Sequence, residues 1–511
     1  MELRKSKPYL KKISNTHVYD VANVTPLTKA EILSKRLKNN ILIKREDMQP
    51  IFSFKLRGAY NKLAKLKKRG ILQPVIAASA GNHAQGVAYA AKKIGVKATI
   101  VMPVTTPSIK VFSVRSYGAK VVLFGDNFDE SCEQANKLCK KNNLIFIHPY
   151  DDADVIAGQG TIGKEILDNC SDNVEAIFIP VGGGGLLAGV GAYIKNKRPQ
   201  IKIIGVEPEN AACLNAALKA KRRVELPEVG PFVDGVAVKK IGKITFSLIR
   251  EWIDDGITVN VDEICAAVQD IFEETRTISE PAGALALAGL KKYSIKNKLQ
   301  GKTLIAINSG SNINFDRLSH IVERVQIGEK KEVLLSVKIP EEKGSFKKFC
   351  RDIGKRMITE FNYRANEREE ANIFVACRFN DRGDSKKFFL KDLRDKGYSP
   401  LDLSDNEVAK LHVKHMVGGR GPKKVISYGE QLFRVEFPER PGALMDFLTA
   451  LGDRWNITLF HYRNQGAAYG RVLVGFQAKS SEKASLQSHL QSTGFRFWEE
   501  TGNLAYSSFL E

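Results

Sequence analysis

Between Asn40 and Ser311, short apolar runs rich in β-branched residues alternate with longer stretches of helical pattern. The runs cover 41–44, 75–78, 98–102, 121–124, 144–147, 176–180, 201–206 and 303–307. Strands spaced by helices imply crossover connections, so the alternation predicts an α/β fold around mostly parallel sheets. In such sheets ligands collect at the carboxyl ends of strands. Three small-residue segments fall at that position: Ser79-Ala80-Gly81-Asn82-His83, Gly182-Gly183-Gly184-Gly185, and Ser309-Gly310-Ser311.

The pattern does not persist to the end of the 511 residues, a length that itself predicts about three units. After Gly328 an internal repeat sets in. Pro340-Glu341-Glu342-Lys343-Gly344-Ser345-Phe346 returns as Pro438-Glu439-Arg440-Pro441-Gly442-Ala443-Leu444, so that Gly442 stands 98 residues after Gly344. Each copy runs through an amphipathic helical pattern into Phe361-Asn362-Tyr363-Arg364 or Phe460-His461-Tyr462-Arg463. Two copies of strand, turn, helix and strand predict two small α+β modules, with Gly418-Gly419-Arg420-Gly421-Pro422 as the linker. The predicted domains are therefore 1–327, 328–415 and 425–511.

A net charge of +22 raises nucleic acid as a partner. The Lys and Arg residues are scattered in short clusters such as Lys67-Lys68-Arg69 and Lys221-Arg222-Arg223, without interleaved aromatics or a recognised module. That argues against specific nucleic-acid binding and for a solvated basic surface. No apolar run reaches the roughly 18 residues a membrane span needs. The basic first twelve residues lead into no apolar core, so a cytoplasmic location without a secretory signal is expected. Seven scattered cysteines with no C-x-x-C pair indicate neither a disulfide framework nor a zinc site, and His412 and His415 lack further ligands at metal spacing. No metal is expected.

Chemistry concentrates at Ser53-Phe54-Lys55. The pattern predicts a helix over 54–65 with Ser53 as N-cap and Lys55 in the first turn. The positive end of the helix dipole disfavours an ammonium there and lowers its pKa, which suits a lysine that forms a Schiff base. Gly182-Gly183-Gly184-Gly185-Leu186 ends a strand and opens a helix, so unpaired amides converge as an anion site. Which anion stays open: Gly183, Gly185 and Ala188, with Glu207 about twenty residues on, also satisfy a dinucleotide fingerprint. Several strands precede this loop, whereas such a fingerprint ordinarily follows the first strand of its domain. The Ser79 to His83 segment offers helix-start amides to a substrate carboxylate and the Asn82 amide to a ring hydroxyl.

Ser53-Phe54-Lys55-Leu56-Arg57-Gly58-Ala59, Ser79-Ala80-Gly81-Asn82-His83-Ala84-Gln85-Gly86, the tetraglycine loop, Ser279-Glu280-Pro281-Ala282-Gly283-Ala284 and Asn308-Ser309-Gly310-Ser311-Asn312 occur in order. Together they resemble the serine/threonine dehydratases, pyridoxal-phosphate enzymes of the tryptophan-synthase-β fold type. The doubled tail resembles the ACT-like regulatory region of biosynthetic threonine dehydratases. The resemblance implies a catalytic domain of two subdomains followed by two ACT-like modules. It also implies that Lys55 carries pyridoxal 5′-phosphate and takes the substrate Cα proton. Phe54 would adjoin the ring, Asn82 would meet its hydroxyl, Gly182, Gly183, Gly184, Gly185 and Leu186 would cradle the phosphate, and Ser309 would face the ring nitrogen. Ser79, Ala80, Gly81, Asn82 and His83 would hold the substrate. A neutral hydroxyl at the ring nitrogen does not enforce its protonation, which makes the ring a weaker electron sink and favours quick loss of a β-hydroxyl.

Two departures narrow the expectation. Related serine racemases place a serine acid/base where this chain has Ala80, and their cation site uses a second acid where this chain has Cys213 beside Glu207. Threonine deamination at the head of isoleucine biosynthesis is the expected activity, with serine dehydration or another β-elimination as the alternative. Isoleucine and valine are the expected effectors, and a homotetramer the expected assembly. Gly344, Phe361, Tyr363, Gly442, Phe460 and Tyr462 are the candidate effector residues, because a glycine turn at a helix start can clasp a carboxylate.

Overall fold

The computed structural model describes residues 4–170, 173–315, 317–328, 332–354, 356–365, 369–378, 385–406, 409, 413, 423–438, 443–452, 454–463 and 469–503. It divides into two compact units, Met1–Gly328 and Glu329–Glu511. The linker glycines and the His412/His415 pair lie outside the described residues.

In the first unit the apolar runs become the strands of two sheets. The larger has the spatial order Leu27–Lys29, Asn40–Arg45, Thr303–Asn308, Val174–Pro180, Lys202–Pro208 and Asp255–Val259, and only its first pair is antiparallel. The smaller, ordered Lys120–Leu123, Ala98–Met102, Val75–Ala78 and Ile145–Phe146, is wholly parallel. Leu27–Lys29 and Asp255–Val259 are edge strands too short or too polar to register as apolar runs. The central strands are buried on both faces, as parallel strands covered by helices must be. Ile177, Ile179, Ile305 and Ile307 pack into one core cluster, while Ala176, Phe178, Leu304 and Ala306 pack into the other, following the two-residue period of a strand.

The helix that carries Lys55 spans Lys55–Lys68 and packs on helix Ala153–Asp168, which in turn packs on helix Gly185–Lys197. Glycines set these approaches. A Cβ on Gly158 would stand 2.6 Å from the Arg57 carbonyl oxygen, and one on Gly189 would stand 2.4 Å from that of Ile156. Beside the first contact lies a buried charge network. Arg57, wholly buried, donates to Glu46 Oε1 and Oε2 at 2.8 and 2.7 Å and to Glu165 Oε1 and Oε2 at 2.5 and 3.0 Å. Lys44 Nζ donates to Glu165 Oε2 at 2.5 Å. Burial alone would raise the Glu46 carboxyl, but the Arg57 charge and hydrogen bonds outweigh it and hold the group below its usual range.

In the second unit each repeat folds as β-α-β-β-α-β. The first copy comprises Glu332–Pro340, Ser345–Ile353, Met357–Arg364, Glu370–Arg378, Lys386–Asp395 and Leu401–Asp402. The second comprises Glu430–Pro438, Ala443–Leu451, Asn456–Arg463, Tyr469–Gln477, Lys483–Ser492 and Arg496–Glu499. The copies are not separate beads. Strand Met357–Arg364 pairs antiparallel with Asn456–Arg463, fusing both into one eight-stranded antiparallel sheet. In that pairing Phe361 opposes Tyr462 and Tyr363 opposes Phe460. Arg364 of one copy is ion-paired with Glu430 of the other at 2.6 Å, both buried. Among the described residues no helix is long and apolar enough to cross a membrane.

Candidate functional site

The helix bearing the lysine starts one residue later than its sequence pattern implies. Phe54 occupies the cap position and its side chain makes no capping bond, but the Ser53 hydroxyl accepts the Lys55 amide at 3.4 Å. Ser53 also bridges to Gly310, and its buried hydroxyl donates to the Ser309 carbonyl at 3.2 Å. Ser53 thus ties the lysine helix to the end of strand Thr303–Asn308. Lys55 Nζ donates to the Pro149 carbonyl at 3.1 Å and lies 5.3 Å from the centre of the Phe54 ring. Burial brings its pKa down to about 8, against the nearby Glu280 carboxyl, which acts to raise it. Desolvation, rather than the helix dipole alone, is therefore what readies the amine. At pH 7 about a tenth of the amine is neutral, where an ordinary lysine would be below ~0.1%. Imine formation between this amine and an added aldehyde is accordingly expected to accelerate with pH and level off above about 8. Stopped-flow absorbance measures it, and a rate still climbing steeply at pH 10 would contradict the assignment.

Ser79-Ala80-Gly81 forms an open turn before helix Asn82–Ile94. Ser79 Oγ accepts the Gly81 amide at 3.2 Å, and a Cβ on Gly81 would meet nothing within 4 Å. Asn82 Nδ2 donates to Glu280 Oε1 at 2.6 Å. His83 is placed otherwise than a substrate-binding ring would be. It is 3% exposed, its Nε2 is 2.9 Å from the Ile147 carbonyl, and burial together with the Lys55 charge pulls its pKa down to about 3. Only its backbone amide belongs to the turn; the neutral ring is a core strut.

At the tetraglycine loop Gly184 has φ +89°, a conformation that favours glycine, and helix Gly185–Lys197 follows. Among the described residues no acceptor faces the amides of Gly183, Gly184, Gly185 and Leu186. Open amides converging at a helix start fit a phosphate. The loop is braced from behind: Thr245 Oγ1 and the Gly242 amide donate to the Gly183 carbonyl at 2.7 and 3.2 Å. Ser309 is buried, and its hydroxyl, donating to the Ala282 carbonyl at 3.2 Å, is a neutral group.

The stretch His148-Pro149-Tyr150-Asp151-Asp152 carries no signal in sequence, yet it links the lysine to the cradle. Pro149 holds Lys55, and a Cβ on Gly183 would fall 2.3 Å from the Tyr150 ring, so that ring lies against the loop. His148 Nδ1 accepts the Tyr150 and Asp151 amides at 3.2 and 2.8 Å, shaping the turn. Asp151 accepts the amides of Lys243 and Ile244 at 2.8 and 2.7 Å, and Asp152 caps helix Ala153–Asp168. The Asp152 cap is a local signal; the partnership of Asp151 with residues some ninety positions away is not.

Glu207 does not reach toward a ribose, as a dinucleotide fold would require. Its carboxylate accepts the Leu214 and Asn215 amides at 2.7 and 2.9 Å and Asn215 Nδ2 at 2.9 Å, at the start of helix Cys213–Ala220. Burial pushes its pKa up to about 7 despite these bonds. Among the described residues no group of three or more His, Cys, Asp or Glu gathers as a metal site.

In the second unit Gly344, at φ +95°, opens helix Ser345–Ile353, and the Tyr363 hydroxyl donates to Glu341 Oε1 at 2.6 Å. Both line one pocket with Glu342 and Lys347 and, from the other repeat, Leu448, Trp455 and Ile457. Phe361, Phe460 and Tyr462 are instead core residues. Phe361 and Phe460 are wholly buried with ring centres 5.8 Å apart, because their positions on the pleat face the covering helices. Gly442 lies outside the described residues.

An amine eased toward neutrality, joined through two consecutive residues to a cradle for one phosphate, suits a group held both covalently and as an anion. Pyridoxal phosphate is such a group, and the family described as pyridoxal-phosphate dependent enzymes matches residues 18–310. The C-terminal regulatory domain of threonine dehydratase matches residues 323–413 and 423–510. The chain is 49% identical to the biosynthetic L-threonine dehydratase of Burkholderia multivorans over 99% of both chains. It is 51% identical to that of Escherichia coli over 98% of this chain and 97% of the other. The structure of the processed form of threonine deaminase isoform 2 from Solanum lycopersicum superposes with a TM-score of 0.62 at 46% identity, covering 64% of this chain and 90% of that one. This chain belongs to the biosynthetic threonine dehydratase family, pyridoxal-phosphate-dependent lyases with a C-terminal regulatory region.

Proposed function

We propose that this chain converts L-threonine to 2-oxobutanoate and ammonia, the first step of isoleucine biosynthesis, under inhibition by isoleucine that valine opposes. The observation that carries the chemistry is the Lys55 amine, lowered to a pKa of about 8 beside a phosphate cradle with open amides. When bound, pyridoxal phosphate supplies an aldehyde for covalent attachment and a ring that withdraws electrons from Cα. The protein does the rest. The Ser79-Ala80-Gly81-Asn82 turn holds the substrate carboxylate on helix-start amides, fixing Cα near Lys55. Lys55 Nζ, as the free amine, would take the Cα proton. The β-hydroxyl would leave as water with that proton, and water would hydrolyse the resulting enamine to 2-oxobutanoate and ammonia; Ala80 offers no acid on the opposite face, so inversion at Cα has no proton donor there. The Phe54 ring beside Lys55 and the Tyr150 ring against the glycine loop border the reacting atoms with apolar surface.

Residues 1–327 serve as the catalytic domain and 328–415 and 425–511 as regulatory modules, a division supported by the unit boundary at Gly328 and the two stretches of regulatory match. The effector reading rests on the pocket that Gly344 and Tyr363 share with Trp455. There the helix start of one repeat faces a carboxylate, Glu342 an ammonium, and Leu448 and Ile457 a branched side chain. Homotetramer and cytoplasm follow from the family resemblance. A coupled oxo-acid assay, comparing threonine with serine and adding isoleucine, tests chemistry and control together; a higher specificity constant for serine sinks the substrate assignment. Trp455→Ala in the full chain is expected to raise the isoleucine concentration for half inhibition at least ~10-fold with uninhibited turnover unchanged, since a buried aromatic contact contributes about 1.5–3 kcal/mol. An unchanged inhibition curve would remove this pocket from the effector assignment.

A further inference from the structure

The carboxamide of Asn82, which the reading above sets against the cofactor's ring hydroxyl, is not free to turn. Its Oδ1 accepts from Asn312 Nδ2 at 2.6 Å, and its Nδ2 donates to Glu280 Oε1 at 2.6 Å. Asn312 Nδ2 is anchored in turn on the Ile51 carbonyl at 2.8 Å, and the Asn312 backbone amide donates to the Glu280 carboxyl. Three residues from three separate segments thereby close a ring. Glu280 precedes helix Pro281–Lys296 and is 5% exposed, with its own amide donating to the Gly310 carbonyl at 3.2 Å. Gly310 leaves room for it, since a Cβ there would lie 2.9 Å from Glu280 Oε1.

A carboxamide carries a donor and an acceptor of nearly the same shape, so an unrestrained Asn82 would offer either to a ring hydroxyl. Here a half-turn would set Oδ1 against the Glu280 carboxyl and Nδ2 against Asn312 Nδ2, a donor facing a donor. The charged groups acting on Glu280 are Asp234, Lys110 and Lys55. Burial, reinforced by Asp234, pushes its pKa up to about 7, against the hydrogen bond from Asn82, the Lys110 charge and the Asn312 amide. Protonation would soften the Glu280 half of the lock; the Asn312 half does not titrate.

We propose that Glu280 is a positioning residue: with Asn312 it locks the Asn82 carboxamide in the orientation that leaves one Nδ2 hydrogen for the cofactor's ring hydroxyl. This rests on the assignment of Asn82 to that hydroxyl. The test uses the holoenzyme, reading the cofactor dissociation constant by equilibrium dialysis and the absorbance maximum of the bound cofactor. Asn82→Ala and Glu280→Ala are each expected to weaken cofactor binding ~10-fold, the equivalent of one net hydrogen bond, and to shift the absorbance maximum in the same direction. The double variant should be no weaker than Asn82→Ala alone, because Glu280 acts through Asn82. Glu280→Gln keeps an acceptor for Asn82 Nδ2 and should bind within ~2-fold of the natural protein. Additive losses near ~100-fold in the double variant, or an unshifted spectrum in Glu280→Ala, would overturn the positioning role while leaving Asn82 in place. An Asn82→Ala variant with unchanged affinity and spectrum would overturn the assignment and the proposal with it. If Glu280→Ala does not fold, Asn312→Ala decides: the same spectral shift supports the lock, and none overturns it.

Discussion

Lys55→Ala is expected to lower threonine deamination by at least ~10³-fold while the variant keeps its fold, since under the proposed assignment it removes both the covalent anchor and the base, each of which contributes factors of this order. The fold should survive because Lys55 makes one polar contact, to the Pro149 carbonyl, and leaves no carboxylate stranded. Glu280, which acts on Lys55 through its charge, is itself held by Asn82 and Asn312. Circular dichroism and a coupled oxo-acid assay on one preparation separate the two outcomes. Turnover within tenfold of the natural protein would exclude Lys55 as the base.

Two positions on, the effect reverses in kind. Arg57→Met is expected to cost about 3–5 kcal/mol of stability, the range seen when one partner of a buried ion pair is removed. Arg57 is wholly buried with Glu46 and Glu165 on adjacent edges of its guanidinium, so both carboxylates would lose a counter-charge together, and Glu165 alone would keep a second one, Lys44, in direct contact. Urea denaturation followed by fluorescence measures this; a loss below ~1 kcal/mol would mean water or Lys44 compensates. The pH dependence gives a second readout. In the natural protein the folded Glu46 carboxyl sits below its unfolded value near 4.5, so its contribution is complete above that value and is lost as pH falls through the lower folded one. Without Arg57, burial dominates and raises the carboxyl. The variant should then lose stability as pH rises from about 4.5, where the natural protein has its full share.

These neighbouring residues show what a sequence discloses and what it withholds. Strands at Val75–Ala78 and Ala98–Met102 are legible because a buried parallel strand must be apolar throughout. The tetraglycine loop is legible because an open-amide turn with a positive φ needs glycine. Tyr150 and Glu280 are not. Nothing local distinguishes a tyrosine that covers a glycine loop, or a helix-start glutamate that holds an asparagine 198 positions earlier. His83 misleads for the converse reason. It sits in the right turn, but one step into the helix rotates its ring toward Ile147 and the core. The candidate effector residues divide along the same line. Alternation puts Phe361 and Tyr363 on one face of their strand and packing buries both against the covering helices, but of the two only Tyr363 also lines the pocket, a difference that the strand period does not disclose.

The cross-pairing of Phe361 with Tyr462 and of Tyr363 with Phe460 puts a local two-fold axis between Asn362 and His461. Two subunits of a symmetric dimer would meet in just this way, edge strand to edge strand, and would separate on dilution. Tethered in one polypeptide, the halves stay associated at any concentration. They also escape the rule that both faces of such a contact must be identical. One half can line a pocket with a glycine-opened helix and a tyrosine while its twin contributes an indole wall, so the two ends of the joint need not be alike, as they must be in a dimer of identical halves.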